Sequence, residues 1–180
     1  MLSQKAKVLQ ALNGRTMLNH VMTAANKISN KISVVVGFDR EGVEEEIKKI
    51  GINANTYLQK EQIGTADAVK TTLKDVDKNE KILILYGDVP LIKDETLKKL
   101  CNQKSDLSIL TTNLENPTGY GRALKDKENN VLGIIEEKDA DLEQKKIKEI
   151  FTGILVTKGS VLKKYIPEIN NNNSAKEFYL

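Results

Sequence analysis

The clearest pattern in the chain is an alternation of short apolar runs with longer segments whose apolar residues recur at helical spacing. Residues 32–37 and 82–86 are rich in valine, isoleucine and leucine and stop at a glycine, which is typical of buried strands. Residues 14–29 instead carry apolar side chains three or four positions apart, which predicts a helix with one face in a core. The first hundred residues therefore predict βαβ units in a doubly wound sheet.

The predicted elements fall into two blocks, with strands and helices alternating up to about residue 105 and mainly strands from about residue 106. The predicted helices cover residues 14–29, 41–50, 64–73, 94–100 and 161–165, and the predicted strands cover residues 32–37, 54–59, 82–86, 107–114, 121–125, 131–137 and 150–156. Asp94 is expected to cap its helix, and residues 139–148 are expected to form a charged surface helix or loop. The pattern predicts one α/β domain with a mainly parallel sheet.

Composition narrows the function classes. The 180 residues carry a net charge of +3 spread along the chain, so no concentrated basic surface for nucleic acid is expected. Cys101 is the only cysteine and His20 the only histidine. An internal disulfide and a Cys/His zinc cluster are therefore excluded within this chain, and Ser-His-Asp chemistry is not expected. We expect both residues to be structural. No apolar run approaches the roughly 20 residues that cross a bilayer, so we expect a cytoplasmic protein without membrane contact.

One carboxylate stands where an apolar run stops. Asp88 follows Gly87 directly after residues 81–86, at the carboxyl end of a predicted interior strand. Ligands bind at that edge in open α/β sheets, so Asp88 is well placed to hold a divalent cation against substrate phosphates. The alternative is a turn in which the aspartate bonds its own backbone, as the following Val89-Pro90 would suit. The local sequence favours neither interpretation.

Six short motifs along the chain, one of which contains Asp88, match a known family in their order and spacing. They lie at residues 7–9, 59–66, 85–91, 116–122, 134–140 and 152–155. Together they resemble the sugar-1-phosphate nucleotidylyltransferases. The motifs P-T-G-Y-G-R and E-x-K-D-A most closely resemble those of the uridylyltransferase domain of the bacterial bifunctional N-acetylglucosamine-1-phosphate uridylyltransferase and glucosamine-1-phosphate acetyltransferase.

The resemblance implies a Rossmann-like sheet of the nucleotide-diphospho-sugar transferase type, with about residues 1–105 binding the nucleotide and about residues 106–180 the sugar. It implies transfer of UMP from UTP to N-acetylglucosamine-1-phosphate, giving UDP-N-acetylglucosamine and pyrophosphate for cell-wall and lipopolysaccharide precursors. The implied cofactor is Mg²⁺, and the partners are the two small substrates. A homo-oligomer, a trimer in the full-length family, is expected.

The resemblance also implies roles for individual residues. Asp88 matches the magnesium ligand and Lys7 the lysine that reaches the nucleotide phosphates, and both are expected to be catalytic. The expected substrate-binding residues are Lys7, Gln59, Gly64, Thr65, Tyr86, Gly87, Asp88, Gly121 and Glu136. Of these, Gln59, Gly64 and Thr65 match positions that read the uracil, and Glu136 matches a carboxylate that accepts bonds from sugar hydroxyls.

The chain departs from the family at a few points. Phe151 stands where the family has an asparagine that contacts the sugar, and Ala6 stands where it has a proline. The family's first strand and glycine-rich phosphate loop would precede Met1, and its second magnesium ligand would follow Leu180, so a chain truncated at both ends is expected. Two alternatives stay open: the same chemistry on a different sugar-1-phosphate, or a nucleotide-binding fragment without catalysis.

Overall fold

The computed structural model describes residues 5–180. The helices of the described part are α1 (Met17–Asn26), α2 (Arg40–Ile50), α3 (Thr65–Lys70), α4 (Asp94–Cys101) and α5 (Gly159–Tyr165). The strands are β1 (Ala11–Leu12), β2 (Arg15–Thr16), β3 (Ser33–Val36), β4 (Asn55–Leu58), β5 (Lys81–Ile84), β6 (Leu107–Asn113), β7 (Arg122–Lys125), β8 (Val131–Ile135) and β9 (Glu149–Lys158). Short 3₁₀ turns cover Lys7–Leu9, Gln144–Lys146 and Ile166–Glu168.

The strands form three groups. β1 and β2 make an antiparallel hairpin, and β3 and β4 make a parallel pair. The largest sheet is built around the ten-residue strand β9, which pairs antiparallel with β5, β6 and β7, while β8 adds to β7. The mixed α/β class is therefore confirmed.

The expected predominance of parallel pairs is wrong for the described strands. Only β3 and β4 run parallel among them, and β5 runs antiparallel to β9 from Lys81 to Ile84. Side chains of β5 alternate between two core clusters, with Leu83 packed beside α1 and α4 and Ile82 packed beside α3 and α5. The continuous apolar run thus reports that both faces of the strand are covered, and it carries no information on the direction of a neighbouring strand.

Three apolar clusters hold these elements together. The first joins α1, α2, β3 and the turn that begins at Lys7, and it includes the buried side chains of Ala6 and Val43. The second lies between α1, α4, β5 and β9, and the third between α3, α5 and β5. Because β5 contributes to two clusters, its carboxyl end is fixed from both faces of the sheet.

Helix α1 begins later than its apolar spacing predicts. The helix begins at Met17 instead of residue 14, because Asn13 and Gly14 adopt positive φ of 50° and 79° and turn the chain between β1 and β2. Asn-Gly favours such a hairpin turn, a signal that the helical periodicity masked. Thr16 then caps the helix by accepting the backbone N–H of Asn19.

The expected capping role of Asp94 is also wrong. The position before α4 is Lys93, and Asp94 is the first helical residue. Its carboxylate pairs with Lys98 at 3.4 Å and Lys27 at 3.7 Å, and both lysines help to lower its pKa. Acidic side chains in the first turn complement the helix dipole without capping it, which a sequence cannot distinguish from a cap.

The positions of His20, Cys101 and residues 139–148 agree with what the sequence predicts. His20 lies in α1 and contacts the backbone carbonyl of Leu12 through Nε2 at 2.8 Å, so it supports the hairpin. Cys101 ends α4 and is partly buried. Residues 139–148 form a loop with one 3₁₀ turn. None of the helices in residues 5–180 has the length and apolarity that a bilayer crossing requires.

Candidate active site

Asp88 and Lys7 meet at the carboxyl end of β5. Lys7 Nζ donates to Asp88 Oδ2 at 2.7 Å across 81 positions of sequence. The pair is solvent-accessible, with 57% of the lysine side chain and 33% of the aspartate side chain exposed. The hydrogen bond to Asp88, and then its charge, raise the pKa of Lys7. A lysine and a carboxylate at such an edge form a small charged centre open to solvent.

The turn at Asp88 is closed by backbone atoms. The backbone N–H of Val89 donates to the carbonyl of Tyr86 at 3.3 Å, while the Asp88 carboxylate points to Lys7. Gly87 lies against the lysine's own turn, since a Cβ on Gly87 would stand 3.0 Å from Val8 Cγ1. Turn formation and an outward carboxylate therefore coexist here, and the turn interpretation does not account for the side chain.

The residues expected to read the base lie in one segment, between β4 and α3. The buried Gln59 side chain donates from Nε2 to the Gly64 carbonyl and to Asp67 Oδ2, both at 3.0 Å. These bonds brace the loop that leads into α3. Gln59 is thereby brought together with Gly64 within one segment of chain.

The glycine of this segment is required by the protein's own backbone. Gly64 has φ of +136°, and a Cβ there would collide with the backbone of Phe178. The backbone N–H of Ala66 donates to the Phe178 carbonyl at 2.9 Å, and that of Leu180 donates to Thr65 Oγ1 at 3.0 Å. The last residues of the chain thus line the start of α3, a contact between segments more than a hundred positions apart.

Tyr86 lies between the base segment and β9. Its ring packs on Gly153, where φ is +82° and a Cβ would stand 2.6 Å from Tyr86 Cδ2. Burial raises the pKa of Tyr86, a hydrogen bond with Thr65 opposes the rise, and the charges of Glu136 and Asp88 add to it. Tyr86 is thus electrostatically linked to both carboxylates of the candidate site. Gly153 lies in the motif at residues 152–155, and no functional role was expected for it.

Gly121 and Glu136 meet where β7 begins and β8 ends. Pairing of β7 with β8 puts the two residues side by side, and a Cβ on Gly121 would lie 2.8 Å from Glu136 Oε1. Burial raises the pKa of Glu136, and the charges of Asp139 and Glu177 raise it further, against a lowering by Arg122. Glu136 is therefore a partly buried carboxylate among like charges.

Buried Arg122 connects the residues before β7 with those after β8. It is 1% exposed, and its Nη2 pairs with Glu137 Oε2 at 2.6 Å while Nη1 donates to the Tyr120 carbonyl. Glu137 Oε2 also accepts the backbone N–H of Gly119 at 3.3 Å, and the bond from Arg122 lowers the pKa of Glu137. Arg122 and Glu137 therefore hold the loop of residues 119–121 against the residues that follow β8. Its place in the P-T-G-Y-G-R motif is the signal that could have revealed this role.

Phe151 lies next to Gly121. Its backbone N–H donates to the Gly121 carbonyl at 2.9 Å, and the residue is 9% exposed within β9. The backbone of Phe151 is therefore next to that of Gly121, and its side chain can offer no hydrogen bond. Its position two residues before Gly153 places it on the same strand as the glycine under Tyr86.

The donor set fits a cation that arrives with phosphate. No group of three or more Asp, Glu, His or Cys side chains that could hold a metal occurs in residues 5–180. Asp88 offers one partly exposed carboxylate, and Mg²⁺ commonly takes one or two protein carboxylates together with waters and substrate phosphates. The residues fit that mode of binding and do not fit a metal held by protein alone.

The sequence profile of the MobA-like NTP transferase domain matches residues 2–141. The chain belongs to that family. It is 45% identical over 182 residues to the bifunctional protein GlmU of Thermosipho melanesiensis and 44% identical over 181 residues to that of Francisella tularensis subsp. novicida. Each comparison covers 99% of this chain and 39% of the relative, so the chain spans well under half the length of these curated relatives.

Solved structures agree on the fold. A UDP-glucose pyrophosphorylase complexed with UDP-glucose superposes with a TM-score of 0.77 at 11% identity, covering 96% of this chain and 75% of that one. HddC from Yersinia pseudotuberculosis superposes with a TM-score of 0.66 at 15% identity, covering 91% of this chain and 72% of that one. These likenesses confirm the predicted Rossmann-like fold of the nucleotide-diphospho-sugar transferase type.

Proposed function

We propose that this domain transfers UMP from UTP to a sugar-1-phosphate, with N-acetylglucosamine-1-phosphate as the first candidate. A phosphate oxygen of the sugar-1-phosphate attacks the α-phosphorus of UTP, the bond from that phosphorus to the bridging oxygen breaks, and pyrophosphate leaves. The observation that carries the proposal is the contact of Lys7 with Asp88 at the end of β5. Family membership and the likeness to bifunctional GlmU proteins support it.

Charge neutralisation is the main demand of this reaction, because negative charge accumulates on the phosphates. Lys7 is long, mobile and mostly exposed, so its ammonium can leave Asp88 and bind the phosphates of UTP. Asp88 and the phosphates would hold Mg²⁺, which would supply further positive charge to the phosphate oxygens. In the unliganded protein the lysine and the carboxylate neutralise each other.

The two other groups of residues bind the ends of the substrates. The segment from Gln59 to Thr65 is assigned to the uracil, with Tyr86 and Gly87 beside the nucleotide. Gly121 and Glu136 are assigned to the sugar, whose hydroxyls can donate to the carboxylate. Hydroxyl donors would offset the cost of keeping Glu136 charged beside Asp139 and Glu177. Cell-wall and lipopolysaccharide precursor synthesis, and the trimer expected of the full-length family, remain predictions of the resemblance.

Phe151 supports a second candidate, the same chemistry on another sugar-1-phosphate. A site that hydrogen-bonds a substrate group discriminates strongly, whereas an apolar wall discriminates by only about 10- to 200-fold per methylene. The buried phenylalanine beside Gly121 therefore favours broader or altered sugar choice.

The test is magnesium-dependent pyrophosphate release from UTP with a panel of N-acetylglucosamine-, N-acetylgalactosamine-, glucose- and glucosamine-1-phosphates. Release with N-acetylglucosamine-1-phosphate alone supports the first candidate. Strong release with another sugar, shifted back toward N-acetylglucosamine-1-phosphate by Phe151→Asn, supports the second. UTP binding by calorimetry without any release would overturn both and leave a nucleotide-binding domain.

A further inference from the structure

Asp39 has a backbone conformation that non-glycine residues seldom adopt. Its φ of 54° and ψ of 43° are left-handed, although it stands directly before α2, where extended backbone is usual for a cap. Its side chain makes no capping bond to α2 in the described structure. Instead, Oδ2 accepts the backbone N–H of Ala6 at 3.0 Å, across 33 positions of sequence. Strain of this kind persists only where the surroundings require it.

Gly42 makes room for this carboxylate. It lies inside α2, where glycine is a poor helix former. A Cβ at this position would stand 2.6 Å from Asp39 Oδ1 and 3.0 Å from Asp39 Cγ. The left-handed aspartate and the helical glycine therefore belong to one arrangement, in which the carboxylate lies against Gly42 of the helix and bonds to the backbone of Ala6.

The bond to Ala6 fixes the backbone beside Lys7. The Ala6 side chain is 7% exposed and packs in the cluster of α1, α2 and β3. Its carbonyl accepts the N–H of Leu9 at 3.0 Å, which closes the turn that carries Lys7. On its far side this turn touches Gly87 through Val8. Ala6 is thus held through its methyl group, its carbonyl and its N–H, and only the last contact depends on Asp39.

We propose that Asp39 is a positioning residue for the nucleotide phosphates, acting through Ala6 on the turn Lys7–Leu9. Its carboxylate holds the Ala6 N–H so that the Lys7 side chain leaves the backbone in the direction of Asp88. The inference rests on the proposed function, in which Lys7 binds the phosphates of UTP. No sequence motif marks Asp39, and it lies outside the residues expected to bind substrate.

The test compares three substitutions of Asp39 by the KM for UTP and by thermal melting. Asp39→Asn keeps an acceptor and tolerates left-handed backbone, so its KM stays within about twofold of wild type. Asp39→Ala and Asp39→Gly both lose the acceptor, so both raise the KM for UTP about tenfold. Asp39→Gly nevertheless melts at a higher temperature than Asp39→Ala, because glycine relieves the strain. Where turnover is slow, the calorimetric dissociation constant of UTP replaces KM.

A substitution of Gly42 also tests the contact between the Asp39 carboxylate and the Ala6 N–H. Gly42→Ala improves the helix but displaces the Asp39 carboxylate, so it raises the KM for UTP without lowering the melting temperature. In an Asp39→Gly background the added methyl group meets no carboxylate, and it then changes only the melting temperature. An additive effect of the two substitutions on KM overturns the proposal.

Lys7→Met separates this inference from the proposed function. A UTP KM that Lys7→Met leaves unchanged overturns the role of Lys7 and the role of Asp39 with it. A KM that Lys7→Met raises, while Asp39→Ala leaves it unchanged, overturns the inference alone. A KM that follows the melting temperature across Asn, Gly and Ala makes Asp39 a purely structural residue and also overturns it. Equal KM values for Asp39→Gly and Asp39→Ala at unequal melting temperatures support it.

Discussion

The two charged centres of the candidate site are built in opposite ways. Asp88 faces a partner of opposite charge in solvent, and its ion pair with Lys7 is accessible from outside. Glu136 is partly buried and stands beside like charges, and burial and these charges raise its pKa. In the first, open centre, Asp88 can exchange Lys7 for another cation at little cost in free energy. In the second, preformed centre, the charged form of Glu136 is unfavourable until a hydrogen-bond donor binds to it. A site for phosphate and a cation needs such exchange of positive partners. A site that recognises hydroxyl groups needs an acceptor that still lacks a donor.

Tyr86 connects the two centres. It packs on Gly153 of the long strand β9, and both carboxylates act on its pKa. The centre of Lys7 and Asp88 is therefore exposed, while Gly153 is packed closely against the tyrosine ring. Substitutions on the two sides should accordingly separate into losses of activity and changes of stability.

The largest expected effect is on the open side. Asp88→Asn should lower kcat/KM by about 100-fold or more, because it removes the carboxylate that would share the cation with the phosphates. Stability should change by less than about 1 kcal/mol, since exposed ion pairs contribute little. Steady-state kinetics and denaturant unfolding of the same preparation measure both. An unfolding free energy that drops along with activity would remove the contrast between the two centres.

The next effect is on the preformed side. Gly153→Ala should destabilise the protein by about 3 kcal/mol, because it adds left-handed strain and forces a methyl group against the Tyr86 ring. Gly51→Ala is the matched control: Gly51 has φ of +73° and nothing within 4 Å of an added Cβ. It should lose only about 1 kcal/mol from the backbone strain.

Chemical denaturation of the two alanine variants checks this difference. Equal losses would mean that Tyr86 adapts to the methyl group and that the surroundings of Gly153 are less rigid than their packing suggests. In the double variant with Tyr86→Leu, the excess loss of Gly153→Ala over Gly51→Ala should largely disappear.

The smallest effect concerns pH. The pKa of Glu136 is raised in the folded protein, so the folded state binds more protons than the unfolded state between the ordinary carboxyl pKa and the raised value. Stability from this group is full below that window and is lost as the pH rises through it. Glu136→Gln removes the loss, so its melting temperature should exceed that of wild type at pH 8 and match it near pH 4.

The same variant should raise the KM for the sugar-1-phosphate by about three- to tenfold, because the amide is a weaker acceptor for sugar hydroxyls than the carboxylate. A melting advantage at pH 8 without any change in this KM would assign Glu136 to stability alone. Wild-type activity and melting at each pH serve as the reference.

Local sequence patterns predicted well which segments form helices and strands, but they predicted poorly how the strands pair. The run at residues 81–86 gave a strand in the right place, but its apolar side chains reflect two covered faces and not the direction of β9. The Asn13-Gly14 turn was visible in the sequence and was overridden by helical spacing that continued through it. Such spacing reports a buried face and does not mark where a helix begins.

Long-range contacts at the candidate site lay beyond any local pattern. The family resemblance implied a role for Lys7 and a role for Asp88, but no sequence pattern predicted the direct contact between them. The collision that makes Gly64 necessary involves Phe178, and the strained Asp39 serves the N–H of Ala6. Each of these residues satisfies a partner far away in sequence, so its type is explained by the folded structure alone.

The central claim is that the open and the preformed centres bind the two ends of one molecule. Calorimetric titration of UDP-N-acetylglucosamine with Mg²⁺ into wild type, Lys7→Met and Glu136→Gln tests it most directly. We expect one site per chain in wild type and an affinity about tenfold weaker in each variant, since each loses one charge-assisted contact. Binding that neither substitution weakens, or no binding by the wild-type protein, would contradict it.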